Sequence, residues 1–247
     1  FYLHAAYVEF IARHHALPEV DYNPAVRHPP LFYVGASLFY RLGEWLGGAH
    51  PLDYSRYFSM LWCLVFITFG ALSVRALFPQ KNNEYYIALA LFAFWPVGIT
   101  KIGVLHCDIM EYAAQMAVMY YLVRWIQTKR TLMLSLAFVA SGIAMLAKAV
   151  GLLMFLVSAA CLCRALWVGR RQLKMCMPWH LVASILFSLL CYYATHLHEN
   201  GLGYDVIAAQ PWQYPGSLII TFGYFNLFEF INDTMINPLK DASITLF

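Results

Sequence analysis

The stretch DYNPAVRHPPLFYVGASLFYRLG, residues 21–43, decides how the chain is laid out. A polar, proline-broken entry runs into an aromatic and aliphatic run that carries Arg41 near its end. The run is either a membrane span or a helix lying on a membrane, and that choice sets the sidedness of everything after it.

Composition frames the choice. Of 247 residues, 62% are hydrophobic and 12% charged, with a mean hydropathy of +0.60. An average soluble domain carries about a quarter charged residues, so the composition is that of an integral membrane protein. Apolar stretches recur at 54–78, 85–100, 111–127, 131–146, 149–168 and 178–197, and a helix needs about 17–25 residues to cross about 30 Å of hydrocarbon. The two shorter stretches, 85–100 and 131–146, either tilt little or end inside protein or a water-filled vestibule. The net charge of +3 is spread along the chain rather than gathered in a stripe, which argues against nucleic acid as a partner. The six cysteines show no paired spacing and no CxxC, so they read as small apolar side chains rather than a disulfide or zinc site.

Positive residues in short loops mark the cytoplasmic side. Arg75 and Lys81 follow the first apolar stretch; Arg124, Lys129 and Arg130 follow the third; Arg164, Arg170, Arg171 and Lys174 follow the fifth. The alternating turns hold only Lys101 and Lys148. With the basic loops inside, residue 54 begins outside, and so does all of 1–53. A span at 29–47 would invert every later loop. The opening stretch therefore reads as a juxtamembrane helix started at Pro29 and Pro30, ended by Gly47, Gly48 and Pro51, with Arg41 and Glu44 reaching headgroups.

The expected fold class is an all-α polytopic membrane protein. It has an outer loop with juxtamembrane helices (1–53), a bundle of about six spans (54–197) and an outer loop (198–247) rich in Gly, Pro, Tyr, Asn and Asp. The N-terminal residues lack a signal-peptide pattern, and DASITLF ends in an apolar run, so further residues are expected beyond both ends.

Polar groups at membrane depth are costly and are functional suspects. On this topology Lys101, His106, Asp108 and Glu111 share one outer turn, and Lys148 occupies the next. Asp108 and Glu111 are three apart and share a helix face. Such a pair can hold a divalent metal, orient a sugar hydroxyl or accept a proton; equally, Asp108 can simply cap the helix with Glu111 completing a capping box. Lys148 can bind a phosphate or snorkel to headgroups, and Arg27 with His28 invites the same two readings. His106 is a ligand or a hydrogen-bonded turn residue. The outer arm adds His4, Glu9, His14, His15, Glu19 and Asp21, and the last loop adds Glu229 and Asp233, four apart among aromatics.

The order of YVEFIARHHALPEVD, HPPLFYVGASLFYRLG, RYFSMLWCLVFITFGALSVRALFP, GVLHCDIMEYAAQMAVMYYLVRW and SGIAMLAKAVGLL resembles GT-C membrane glycosyltransferases. The likeness is to the bacterial branch similar to dolichyl-phosphate-mannose protein mannosyltransferases and the lipid A aminoarabinose transferase, and it covers most of residues 1–170. The resemblance implies a GT-C-like bundle in a bacterial inner membrane and a polyprenyl-phosphate sugar donor. It also implies transfer to a glycan, lipid or protein acceptor on the periplasmic face. It implies one acidic residue early in the first outer loop, expected upstream of His4 and poorly substituted by Glu9 or Asp21, and a second matched by Asp108. Lys148 matches a lysine near the donor phosphate, with Lys101 and Arg27 as further phosphate-binding candidates. His28 with Pro29 and Pro30 matches a largely structural diproline motif. No cofactor is required by these patterns, and a divalent metal at Asp108 remains a candidate. A transporter or flippase, with charges at the midplane of several spans, and a non-catalytic assembly subunit are the competing readings; the near absence of charge within the spans favours surface chemistry.

Overall fold

The computed structural model describes residues 2–19, 22–80, 82–94, 104–169 and 178–201. Among them there is no strand; the elements are eight α-helices and two short 3₁₀ turns. The helices are α1 (Tyr2–His14), α2 (Leu31–Trp45), α3 (Pro51–Leu77), α4 (Asn83–Ala93), α5 (Asp108–Thr128), α6 (Thr131–Ala147), α7 (Leu152–Gly169) and α8 (Trp179–Gly201). The expected outer loop from 198 onward lies almost wholly outside the described residues.

The stretch 21–43 forms a helix of its own, joined to α3 by a tight corner. After α2 the chain turns at Gly47, whose φ of +70° favours glycine. Gly47 N–H donates to Glu44 O at 3.0 Å and Gly48 N–H to Gly43 O at 2.9 Å, closing a Schellman-type end. Pro51 then opens α3. The Tyr54 ring lies against Gly43 and Gly48, so the end of α2 is held on the start of α3. One face of α2, Phe32, Tyr33, Ala36, Ser37, Tyr40 and Gly43, is buried. The opposite face shows Leu31, Val34, Leu38, Leu42 and Trp45 to the surroundings.

The same inversion runs through the bundle. Large apolar side chains on α3, α4, α7 and α8 face outward, with Leu64 at 61% and Leu91 at 71% exposed. Beside buried Leu134, Phe138 and Met145, the interior face of α6 carries small residues: Ala137, Ala140, Ser141 and Ala144 are buried, and Gly142 admits the Phe187 ring and Cys191 of α8. Buried hydroxyls tie the helices together. Ser188 donates to Phe138 O at 2.5 Å, Thr195 to Met145 O at 3.1 Å, and Ser141 lies 3.4 Å from Ser158.

Among the described residues, two stretches, Pro51–Leu77 and Ala149–Trp167, are long and apolar enough to cross a membrane, where hydropathy along the whole sequence offers six. Described α4 has 11 residues, α6 is apolar but has 17, and α5 carries Asp108, Glu111 and Arg124. Helices α3 and α5 run parallel, each starting at the end of the bundle where α6 finishes.

Candidate functional site

Four chain segments converge at the end of the bundle where α3 and α5 begin. The first is α1, whose buried stripe Tyr7, Val8, Ile11 and Ala12 continues upward to His4. The second is the 3₁₀ turn Pro24–Arg27, capped by Asn23, whose side chain accepts from Ala25 N–H at 2.8 Å. Asn23 also donates to Leu3 O at 3.2 Å, holding this turn on α1 and bringing His28 to the His4 ring. The ring centroids of His4 and His28 are 5.7 Å apart and nearly parallel. The third segment is the turn before α5, with His106, whose ring centroid is 4.1 Å from that of His4. The fourth is the α6–α7 break, which delivers Lys148.

That break is built by the backbone. Lys148 leaves the helix with extended φ and ψ of −162° and 140°, and its N–H still donates to Ala144 O at 2.9 Å. Gly151 N–H returns to Lys148 O at 2.9 Å. A Cβ on Gly151 would stand 2.4 Å from the Ala144 carbonyl carbon, so the turn closes only with glycine there.

Lys148 Nζ donates to Asp108 Oδ1 at 3.0 Å across 40 residues of sequence. The Asp108 side chain is 9% exposed and that of Lys148 32%. Burial alone would lower the Lys148 pKa, but the charge and hydrogen bond of Asp108, with Glu111 behind them, outweigh it and hold the ammonium above its ordinary value. The position before α5 is occupied by Cys107, which makes no side-chain cap bond. The Asp108 carboxylate pairs with Lys148 and His106, and Glu111 accepts from Gln115 at 2.8 Å.

A single nitrogen, His106 Nδ1, faces both the Asp108 N–H at 3.2 Å and the Asp108 Oδ1 at 3.1 Å. Unprotonated, it accepts from the amide; protonated, it donates to the carboxylate. The tautomer thus decides whether Lys148 shares the Asp108 charge. His4 Nδ1 is 2.6 Å from the Tyr33 hydroxyl on α2. Burial, then the neighbouring imidazoles of His106 and His28, drives His4 down to about 3. Burial, then Lys148 and His106, drives His28 down to about 4. Both rings are neutral at pH 7, beside one formal cation and its carboxylate.

His106, Cys107 and Asp108 place one possible metal-ligand atom each within 4.8 Å of one another. The donor set suits a divalent metal poorly. Burial, then the Asp108 charge, pushes the Cys107 thiol up to about 11, against the thiolate a metal needs. Asp108 Oδ1 already holds the Lys148 ammonium. Lys148 supplies the positive charge that a metal at Asp108 would bring.

Not every candidate joins the cluster. Glu9 pairs with Arg13 at 2.7 Å on an exposed face of α1. Asp21, Lys101 and Asp233 lie outside the described residues, as does the side chain of Arg27. Tyr33 and Cys107 belong to the site without having been singled out in the sequence. The Tyr7 ring stacks on Tyr33 at 4.1 Å, and its buried hydroxyl has no hydrogen-bond partner among the described residues. No protein-family model, curated protein or solved structure matches the chain.

Proposed function

We propose that this chain is part of a polytopic membrane glycosyltransferase that moves a sugar from a polyprenyl-phosphate donor to an acceptor on the extracytoplasmic face. The observation that carries the reading is the convergence of His4, His28, His106, Asp108, Glu111 and Lys148 at one end of the bundle. Much of the outward surface of α3, α4, α7 and α8 is apolar. Small residues and hydroxyl-to-backbone bonds between helices are the packing expected where lipid surrounds the bundle. The charge pattern of the loops favours an outer position for the cluster. Chemistry gathered at a membrane surface suits a donor whose lipid tail stays in the bilayer while its phosphate and sugar emerge.

The chemistry asked of the cluster is an exchange at one carbon. The Asp108 carboxylate takes the proton of an acceptor hydroxyl or amine as that atom bonds to the anomeric carbon. The bond from that carbon to the phosphate oxygen breaks, the electron pair leaves with the polyprenyl phosphate, and the configuration inverts. The Lys148 ammonium stabilises the departing charge. Neutral His4 and His28 offer donors and acceptors to sugar hydroxyls without competing for the phosphate.

The test is transfer of radiolabelled sugar from a panel of polyprenyl-phosphate donors, comparing membranes that hold the full-length parent with its Asp108→Asn form. Transfer lost with the substitution supports the assignment; undiminished transfer removes Asp108 from the mechanism. Lys148→Ala should weaken donor binding, and unchanged donor affinity would return Lys148 to a structural role.

A further inference from the structure

A second site stands at the opposite end of the molecule. A cavity of about 560 Å³ opens between the C-terminal ends of α3 and α5, lined by Leu72, Arg75, Pro79, Tyr120, Arg124 and Gln127. Its polar side is cationic and its other side is apolar. Arg75 is exposed and makes no hydrogen bond or ion pair among the described residues. Arg124 Nη1 donates to Gln127 Oε1 at 3.3 Å, and Gln127 Nε2 donates to Ala76 O at 2.6 Å, bridging α5 to α3 and fixing one wall.

A cation in the last turn of a helix is favourable for the macrodipole alone, and that would account for either arginine singly. It does not account for two arginines from different helices lining one cavity. Glu84, in the first turn of neighbouring α4, makes no ion pair with either among the described residues. Leu77 and Ile126 are exposed at the same end, and Lys129 Nζ lies 5.5 Å from the centroid of the Trp125 ring. Aromatic, cationic and apolar groups together are what a helix end shows at a headgroup layer. Along α5, Arg124 is about 24 Å from Asp108 at about 1.5 Å per residue, so this cavity is separate from the cluster described above.

We propose that this cavity binds the phosphate of an anionic phospholipid on the cytoplasmic side, with Arg75 and Arg124 on the phosphate oxygens and an acyl chain against Leu72 and Tyr120. The proposal rests on the membrane reading, and not on sugar transfer. Guanidinium forks suit phosphate oxygens, and a basic residue near an anionic leaflet strengthens binding by about fivefold.

The experiment is native mass spectrometry of the delipidated full-length protein titrated with phosphatidylglycerol, phosphatidylcholine or inorganic phosphate. Phosphatidylglycerol should bind at least tenfold tighter than phosphatidylcholine. Arg75→Gln should weaken it about fivefold, and Arg75→Gln with Arg124→Gln should abolish the preference. Because Arg75 is exposed and has no polar partner among the described residues, the single variant should fold as the parent does, which a melting curve checks. Equal binding of the two lipids, or a preference that survives the double variant, would overturn the proposal. Inorganic phosphate binding as tightly as phosphatidylglycerol would overturn the lipid assignment in favour of a soluble phosphate. Sugar transfer by Arg75→Gln should match the parent, and a parent that shows the lipid preference but no sugar transfer would count against the glycosyltransferase reading alone.

Discussion

Removing one side of the Asp108–Lys148 pair should be asymmetric. At 3.0 Å and an effective dielectric constant of about 20, the attraction is about 5.5 kcal/mol before desolvation is counted. Lys148→Met leaves a carboxylate that is 9% exposed without its cation. Truncating one partner of a buried pair costs about 3–5 kcal/mol. A third of Lys148 already meets solvent, so the lower end applies, about 3 kcal/mol. Asp108→Asn leaves the ammonium, which has a path to water, and should cost about 1 kcal/mol. The double variant removes both charges and should cost about 2 kcal/mol, less than the singles together. The assay is unfolding of the detergent-solubilised full-length protein by SDS, followed by tryptophan fluorescence. Equal losses in the two single variants, or a double variant that is simply additive, would refute the reasoning. All three variants should lose sugar transfer, which separates the charge's role in chemistry from its role in folding.

Three further outcomes are expected. His4 and His28 have folded values of about 3 and about 4 against an ordinary 6.5. An unfolded chain therefore takes up protons below pH 6.5 that the folded state refuses. Their contribution is complete above that pH and lost as pH falls through 4 to 3, by about 2 kcal/mol per histidine near pH 5; a His4→Gln variant should show a shallower loss in melting curves taken from pH 7 to 5. Gly151→Ala should cost about 1–3 kcal/mol by overpacking and lower transfer by displacing Lys148, whereas Gly47→Ala should strain only the α2 corner and spare transfer. Thr195→Val and Ser188→Ala each remove a buried bond to α6 and should cost about 0.5–1 kcal/mol by the same SDS titration.

The helices were legible because each apolar stretch ends at signals that act locally: Pro51 opening α3, Gly47 closing α2, and the polar turn before Asp108. Asp108, Lys148, His28 and His106 could each be singled out as charged or ionisable groups bordering apolar runs. That Asp108 and Lys148 touch could not be read from the sequence, since 40 residues separate them and the contact depends on how α5 and α6 pack. His4 passed as one polar residue among several in the outer arm. Its signal was its place on the stripe of Tyr7, Val8, Ile11 and Ala12, where an imidazole is out of character and so has a partner to meet. Tyr33 gave no such signal, because an aromatic in apolar surroundings looks like ordinary packing, and Cys107, though in a polar turn, read as a small side chain without a paired cysteine. Hydropathy along the sequence offers about six spans, of which two are long and apolar enough to cross a membrane among the described residues.

The inverted distribution of side-chain size has a consequence for natural variation in this chain. In most water-soluble proteins, interior positions reject polarity and surface positions accept almost anything. Here Ala137, Ser141, Gly142 and Ala144 are crowded by neighbouring helices and already include a hydroxyl, so their constraint is volume: serine for alanine passes, leucine does not. Leu64, Leu91 and Leu190 meet only the surroundings, so their constraint is polarity: isoleucine or phenylalanine passes, aspartate does not. A saturation mutagenesis map should therefore divide the bundle into two classes of site, one filtered by bulk and the other by charge. If the proposed membrane reading holds, the boundary between them would trace the outline of the bilayer without any label being attached to the protein.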